Sequence, residues 1–143
     1  MRWAIGEKMR FSKERYTGLA GFRHALRGFL ASSEVICRQA GVTTTQYQAM
    51  LALGSSAQSV SMKHLAEQLL LKHHSAVQLV DRLTDAGLVE RATAKHDARV
   101  VLVVLTAKGE SELDALAKLH LAEMLKHEPE LTKSLKLLRK RGN

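Results

Sequence analysis

The run from Ser61 to Thr106, SMKHLAEQLLLKHHSAVQLVDRLTDAGLVERATAKHDARVVLVVLT, constrains this chain more than any other stretch. Leu65, Ala66, Leu69 and Leu70 fall on one side of a short helix that Ser61 is placed to cap. A polar turn follows, and then a second helix whose Ala76, Leu79, Val80 and Leu83 make one buried face. Gly87 stands where a helix of that length ends. Two β-rich runs come next, Leu88–Thr93 and Arg99–Leu105, joined by a charged tip from Ala94 to Ala98. Val60, between serines, is placed to add a short third strand.

Helix, turn, helix and hairpin in that order make a winged helix-turn-helix, which sets a helix in the DNA major groove and a hairpin against the flanking backbone or minor groove. The fold class expected is mostly α with a small antiparallel β-hairpin wing. Residues 1–143 read as a single winged-helix domain, with a DNA-binding module over 43–106 and an N-terminal arm over 1–11.

Long helices flank the module. Ser12 is a plausible N-cap for a helix on which Leu19, Phe22, Leu26, Phe29, Ser33 and Ile36 form a stripe, with Gly41 as its stop. About 27 residues at 1.5 Å each would span about 40 Å, more than a domain of this size covers by itself. Thr43 and Gln46 have the spacing of a capping box; Tyr47, Met50 and Leu51 are expected on the buried side of that helix, with Gly54 at its end. Thr106 caps a C-terminal helix carrying Leu113, Leu116, Leu119 or His120, and Met124. Pro129 predicts a break near Lys126–Glu128 and a last helix with Leu131, Leu135 and Leu138 on one face. The helices over 12–41 and 107–143 carry more apolar surface than the module can cover, which points to homodimerisation through them.

Composition agrees with a polyanionic partner. Lys and Arg number 22 against 14 acidic residues, a net charge of +8, which double-stranded DNA or an anionic membrane would equally satisfy. No apolar run reaches the roughly 18 residues of a membrane span. Residues 1–11 lack the apolar region of a signal peptide, and the single Cys37 calls for no oxidising compartment. A soluble, cytoplasmic protein with no membrane partner is expected.

Five segments resemble, in order, elements of the MarR-type (multiple antibiotic resistance) transcriptional regulators. FRHALRGFL is similar to the family's first helix, GVTTTQYQAMLAL to its second and MKHLAEQLLL to its third. KHHSAVQLVDRLTDAGLVER is similar to the recognition helix and first wing strand, and HDARVVLVVLTAKG to the wing and the start of the fifth helix. The resemblance runs from about Ser12 to the C-terminus. It implies a dimeric winged-helix protein of bacteria or archaea that binds pseudo-palindromic operators, mostly as a repressor, and releases DNA when a small aromatic effector enters a pocket. Phe22, Phe29 and Tyr47 would line that pocket, or are simply core. The chain departs from the family in three places. Leu70 stands where a turn Gly is frequent, Lys72 where a capping Ser or Thr is frequent, and Asp97-Ala98-Arg99 where Asp-Arg-Arg is frequent. Capping of the recognition helix would then fall to Ser75 or to backbone and water.

With the apolar face of the second helix turned inward, His73, His74, Ser75, Val77 and Gln78 are best placed for bases. Lys72 and Arg82 are placed for phosphates. In the wing, Arg99 is the expected contact, with Lys95 and His96 near the tip. By the resemblance, Asp97 orients the arginine. Arg91 is either structural or phosphate-facing, and Lys136, Arg139, Lys140 and Arg141 suit a helix C-terminus.

No metal is expected: on a helix the adjacent His73 and His74 diverge by about 100°, and no Cys/His cluster has ligand spacing. Some relatives sense peroxide through one thiol, but the place of Cys37 on an apolar face suits a buried, inert cysteine. No catalytic constellation and no cofactor motif is present, so the chain reads as a non-enzyme. The alternative to a DNA-binding regulator is a winged-helix interaction module whose basic face binds an acidic protein.

Overall fold

A computed structural model of the chain describes residues 11–140. The arm expected over 1–11, apart from Phe11, and Arg141 of the C-terminal cluster lie outside the described residues. Eight elements follow in order: α1 Lys13–Gln39, α2 Thr44–Gly54, β1 Val60–Ser61, α3 Met62–Gln68, α4 His73–Asp85, β2 Val89–Ala94, β3 Asp97–Leu105 and α5 Ala107–Arg139. The fold is mostly α with a small antiparallel sheet, as the helical and alternating periods require. The described residues divide into two compact units, one drawn from α1 through Ser32 and α5 from Leu121, the other covering Ser33–His120.

In the first unit, α1 and α5 approach closely where α1 carries glycine. A Cβ on Gly21 would come within 2.5 Å of Ser134 Oγ, and one on Gly28 within 2.8 Å of the His127 ring. His24 Nδ1 meets Glu130 Oε1 at 2.8 Å. The expected break at Pro129 does not occur, because α5 runs unbroken from Ala107 to Arg139. The proline forgoes one backbone hydrogen bond, but His127 and Glu130 on either side of it both contact α1, which offsets that local loss. Leu19, Leu26, Leu30, Met124 and Leu125 remain exposed in this unit.

The second unit holds the main core, in which Met50, Leu65, Val80, Leu83, Val89 and Val103 are almost completely buried. Their source is the periodic face of each helix together with alternate residues of the sheet. The sheet order is β1-β3-β2, both pairings antiparallel, with Val60 opposite Val103 and Val89 opposite Leu105. Val60 thus supplies the third strand. The capping box at Thr43 is complete: Thr43 Oγ1 accepts from the Gln46 amide at 3.0 Å, and Gln46 Oε1 accepts from the Thr43 amide at 2.9 Å.

Leu51 and Leu70, both expected on apolar faces, lie exposed, and the choice left open between Leu119 and His120 falls to the histidine. Leu51 is 43% exposed rather than buried beside Tyr47 and Met50. On α5 it is His120, at 3% exposure, that turns inward, leaving Leu119 outside. A hydrogen-bonding environment makes that possible. His120 Nε2 lies 2.8 Å from Ser33 Oγ, its Nδ1 lies 2.7 Å from the Leu116 carbonyl, and its ring stacks on Tyr47 at 3.9 Å between centroids.

Candidate nucleic-acid interface

The interface expected from the sequence is built on α4, and what precedes that helix sets how it starts. Leu70 has φ of +55°, the one positive φ among the described non-glycine residues, and is 93% exposed. Chain reversal here demands the left-handed region, which costs a branched residue about 1–2 kcal/mol. Lys72 is then the N-cap, with φ −65° and ψ 152°, and no side chain caps the helix. Ser75 lies inside the first turn and does not serve as the cap, because the helix already begins at His73. The end amides of α4 are left to solvent.

The other end is fastened firmly. Gly87, at φ +75°, turns the chain out of the helix. Lys108 Nζ donates to the Ala86 carbonyl at 2.9 Å, and Thr106 Oγ1 donates to the Gly87 carbonyl at 2.6 Å. Lys108 adds a cation where the helix dipole favours one. Gly109 packs so tightly against the Leu88 carbonyl that a Cβ would come within 2.0 Å of its oxygen.

With Ala76, Leu79, Val80 and Leu83 buried, Lys72, His73, His74, Gln78 and Arg82 are exposed while Ser75 and Val77 are half-buried. His74, Gln78 and Arg82 repeat every four residues and so share one outward row. Ser75, Gln78 and Arg82 also border a shallow cleft with Thr43 and Gln46 at the start of α2. On the opposite flank, His73 and Val77 line a cleft of about 430 Å³ that Lys63, Arg91 and Arg99 complete. The α4 side chains expected to read bases therefore stand between two grooves, one of them walled by three cations.

Arg91 proves structural in its contacts: its Nη2 donates to the Asp81 carboxylate and reaches the Val77 carbonyl at 3.5 Å, tying β2 to α4. Lys63 is the cation that sequence reasoning missed. Its only signal was its place in the first turn of α3, just after the Ser61 cap.

The wing is shorter at its tip than expected. Ala94 pairs with Asp97, leaving only Lys95 and His96 in the turn. The register then slips: Thr93 pairs with Val101, so Ala98, Arg99 and Val100 have no partner on β2. This bulge throws Arg99 outward, its side chain 91% exposed. Asp97 accepts from the Arg99 amide at 3.0 Å and from the guanidinium Nε at 3.1 Å and Nη2 at 3.2 Å. The side-chain and backbone hydrogen bonds from Arg99 hold the Asp97 carboxyl below its ordinary range. Lys95 and His96 are exposed beside it.

The other residues named from sequence fall elsewhere. Tyr47, 7% exposed, is covered on one face by His120, and burial raises its hydroxyl above the ordinary tyrosine value. Phe22 and Phe29 belong to the first unit. Cys37 is 1% exposed, and burial pushes its thiol up despite an opposing hydrogen bond from Ser33. Among the described residues, no three His, Cys, Asp or Glu side chains are grouped to hold a metal ion, and no helix is long and apolar enough to cross a membrane.

Comparison with known proteins agrees with this geometry. No curated protein sequence matches the chain. A MarR family profile matches residues 40–100, which span α2 to the start of β3. Among solved structures, AbsC, a MarR family transcriptional regulator from Streptomyces coelicolor, is similar at a TM-score of 0.75 and 21% identity, over 97% of this chain and 94% of that one. A second MarR family transcriptional regulator from Streptomyces coelicolor, solved in complex with DNA, is similar at a TM-score of 0.71 and 22% identity, over 89% and 87% of the two chains. A MarR family regulator from Rhodococcus sp. RHA1 is similar at 0.68 and 20% identity, over 82% of each. A MarR family profile thus covers the helix-turn-helix and most of the wing, and along most of its length this chain has the winged-helix fold of MarR family transcriptional regulators.

Proposed function

We propose that the protein is a sequence-specific transcriptional regulator that binds double-stranded DNA as a homodimer, most simply as a repressor on a pseudo-palindromic operator. The observation that carries this is the outward row of His74, Gln78 and Arg82 on α4, flanked by the cleft that Lys63, Arg91 and Arg99 wall. Gln78 suits the major-groove edge of adenine, and Val77 a thymine methyl. Lys72 and Arg82 neutralise phosphates, and Arg99, presented by Asp97 with Lys95 and His96 alongside, follows the flanking backbone or minor groove.

Dimerisation is supported by the exposed Leu19, Leu26, Leu30, Met124 and Leu125, an apolar surface that a second copy would remove from water. Two α4 helices one helical turn of DNA apart would then read the two half-sites. The chromosome as partner places the protein in the cytoplasm. Regulation by a small aromatic effector belongs to the same reading, supported by the MarR family profile match over residues 40–100.

Fluorescence anisotropy on the protein's own promoter at two salt concentrations tests the proposal. Binding should weaken steeply with salt as counterions are released. Gln78→Ala should change sequence preference, whereas Lys72→Ala should weaken all sequences alike. An absence of binding at low salt would overturn the DNA reading in favour of an acidic protein partner. Sedimentation as a monomer at micromolar concentration would overturn the dimer.

A further inference from the structure

A second concavity of about 590 Å³ lies between the end of α2, strand β3 and the first turns of α5, and neither α1 nor α4 contributes to it. Its size falls within the roughly 300–1,000 Å³ of small-molecule sites. Leu51, Leu105 and Leu113 supply an apolar wall, and Leu51 there is the large apolar side chain of α2 left facing water. The charged groups that line it are both carboxylates, Glu110 and Asp114, one turn apart on α5. No Lys, Arg or His is among the lining residues. In a chain of net charge +8 this is a local reversal of sign.

The two acids are available. Asp114 meets Lys118 at 2.8 Å, but both side chains are mostly exposed, and such a pair is weak and exchangeable. Glu110 has no ion-pair partner among the described residues. Like charges four residues apart on a helix repel one another, and a cation seated between them relieves that repulsion. A bare metal ion would leave the leucines unused and find only two carboxylates, and an anion would be repelled.

We propose that this cleft binds an amphipathic organic cation, its apolar body against Leu51, Leu105 and Leu113 and its charge between Glu110 and Asp114. The site lies outside the α4 and wing surface, and its test contains no DNA, so its outcome is independent of the DNA-binding proposal.

Isothermal titration calorimetry of the full chain with tetraphenylphosphonium and with neutral triphenylphosphine oxide decides it. The cation should bind once per chain and about fivefold tighter than the neutral probe, which two exposed charge contacts of roughly 0.5 kcal/mol each would produce. Glu110→Gln with Asp114→Asn should bring the cation down to the neutral probe's affinity and leave that probe unchanged. Ala117→Phe, at a half-exposed lining position, should block both. Absence of cation binding, equal affinity for the two probes, or full cation affinity in the double variant would each overturn the proposal. The two-probe comparison on the unaltered protein stands even where a variant fails to fold.

Discussion

Arg99 closes a fork on Asp97, two residues before it in β3: Nε lies 3.1 Å from Oδ1, Nη2 lies 3.2 Å from Oδ2, and the Arg99 amide donates to the same Oδ1. Both partners are accessible to water, so the pair adds little to stability. Its effect is on direction, because it fixes a long side chain that would otherwise sample many rotamers. The fork is charged at neutral pH, and the lowered Asp97 pKa extends it to more acid conditions, so the contact is lost only as pH falls through that lowered value. In an NMR titration Asp97 should titrate below the ordinary aspartate range and return towards it in Arg99→Ala. Asp97→Asn should lower DNA affinity without moving the thermal midpoint. An ordinary Asp97 titration in the unaltered protein would remove the fork from solution.

Leu70 is held at φ +55° with its side chain in water, so glycine there loses almost no burial. The left-handed cost of about 1–2 kcal/mol is relieved, less the extra unfolded-state entropy of glycine at about 0.5–1 kcal/mol. Leu70→Gly should therefore stabilise by up to about 1.5 kcal/mol, read as a higher urea midpoint. Destabilisation would mean that the leucine makes a contact in solution.

Lys72→Ser should separate stability from affinity. Serine at an uncapped N-terminus can accept an end amide and stabilise the helix by about 1 kcal/mol. The lost cation should weaken DNA binding for all sequences and reduce the magnitude of the log–log salt slope by about 2, one for each subunit of the proposed dimer. Denaturation and anisotropy on the same variant check both halves.

Local signals were sufficient for every element of the winged helix-turn-helix. The Thr43–Gln46 box, the Gly41 and Gly87 stops, the buried face of α4 and the short strand at Val60 all follow from spacing a few residues long. What escaped depends on partners distant in sequence. The local cost of Pro129 predicts a break, while the contacts of His127 and Glu130 with α1 that offset it lie far away in sequence. Arg91 could not be assigned until α4 presented Asp81 to it. At the candidate site, residue types and the outward face of α4 were legible. The wing slip that exposes Arg99, and Lys63 across the groove, required the folded chain.

Ser33 and His120 show the same limit, being 87 residues apart in sequence. The Leu116 carbonyl can only accept, so Nδ1 of His120 carries the proton and Nε2 accepts from the Ser33 hydroxyl. Ser33→Ala removes that donor from a buried ring and should cost about 1–3 kcal/mol in urea denaturation. A loss below about 0.5 kcal/mol would show that the hydroxyl does not matter.

Cys37 lies beside this pair, its Sγ 3.9 Å from Nε2, and its thiol is raised by burial. The folded state therefore favours the neutral thiol, and stability should decline as pH rises past the ordinary cysteine value. At neutral pH a thiol reagent should label Cys37 only as fast as the protein opens, and peroxide should leave DNA binding intact. Rapid labelling of the native protein would contradict the inert reading.

The unequal fastening of α4 has a consequence for how it would meet DNA. Lys108, Thr106 and Arg91 bind the stem of the helix and the turn that leaves it, while its first turn begins from an uncapped lysine after a strained leucine. The helix should therefore act as a cantilever, anchored at the root and more easily opened at the tip, which carries His73 and His74. Amide exchange should fall off from tip to root in the free protein. The entropy lost on ordering this loose tip is then a cost that a correct DNA sequence must overcome and a wrong one fails to.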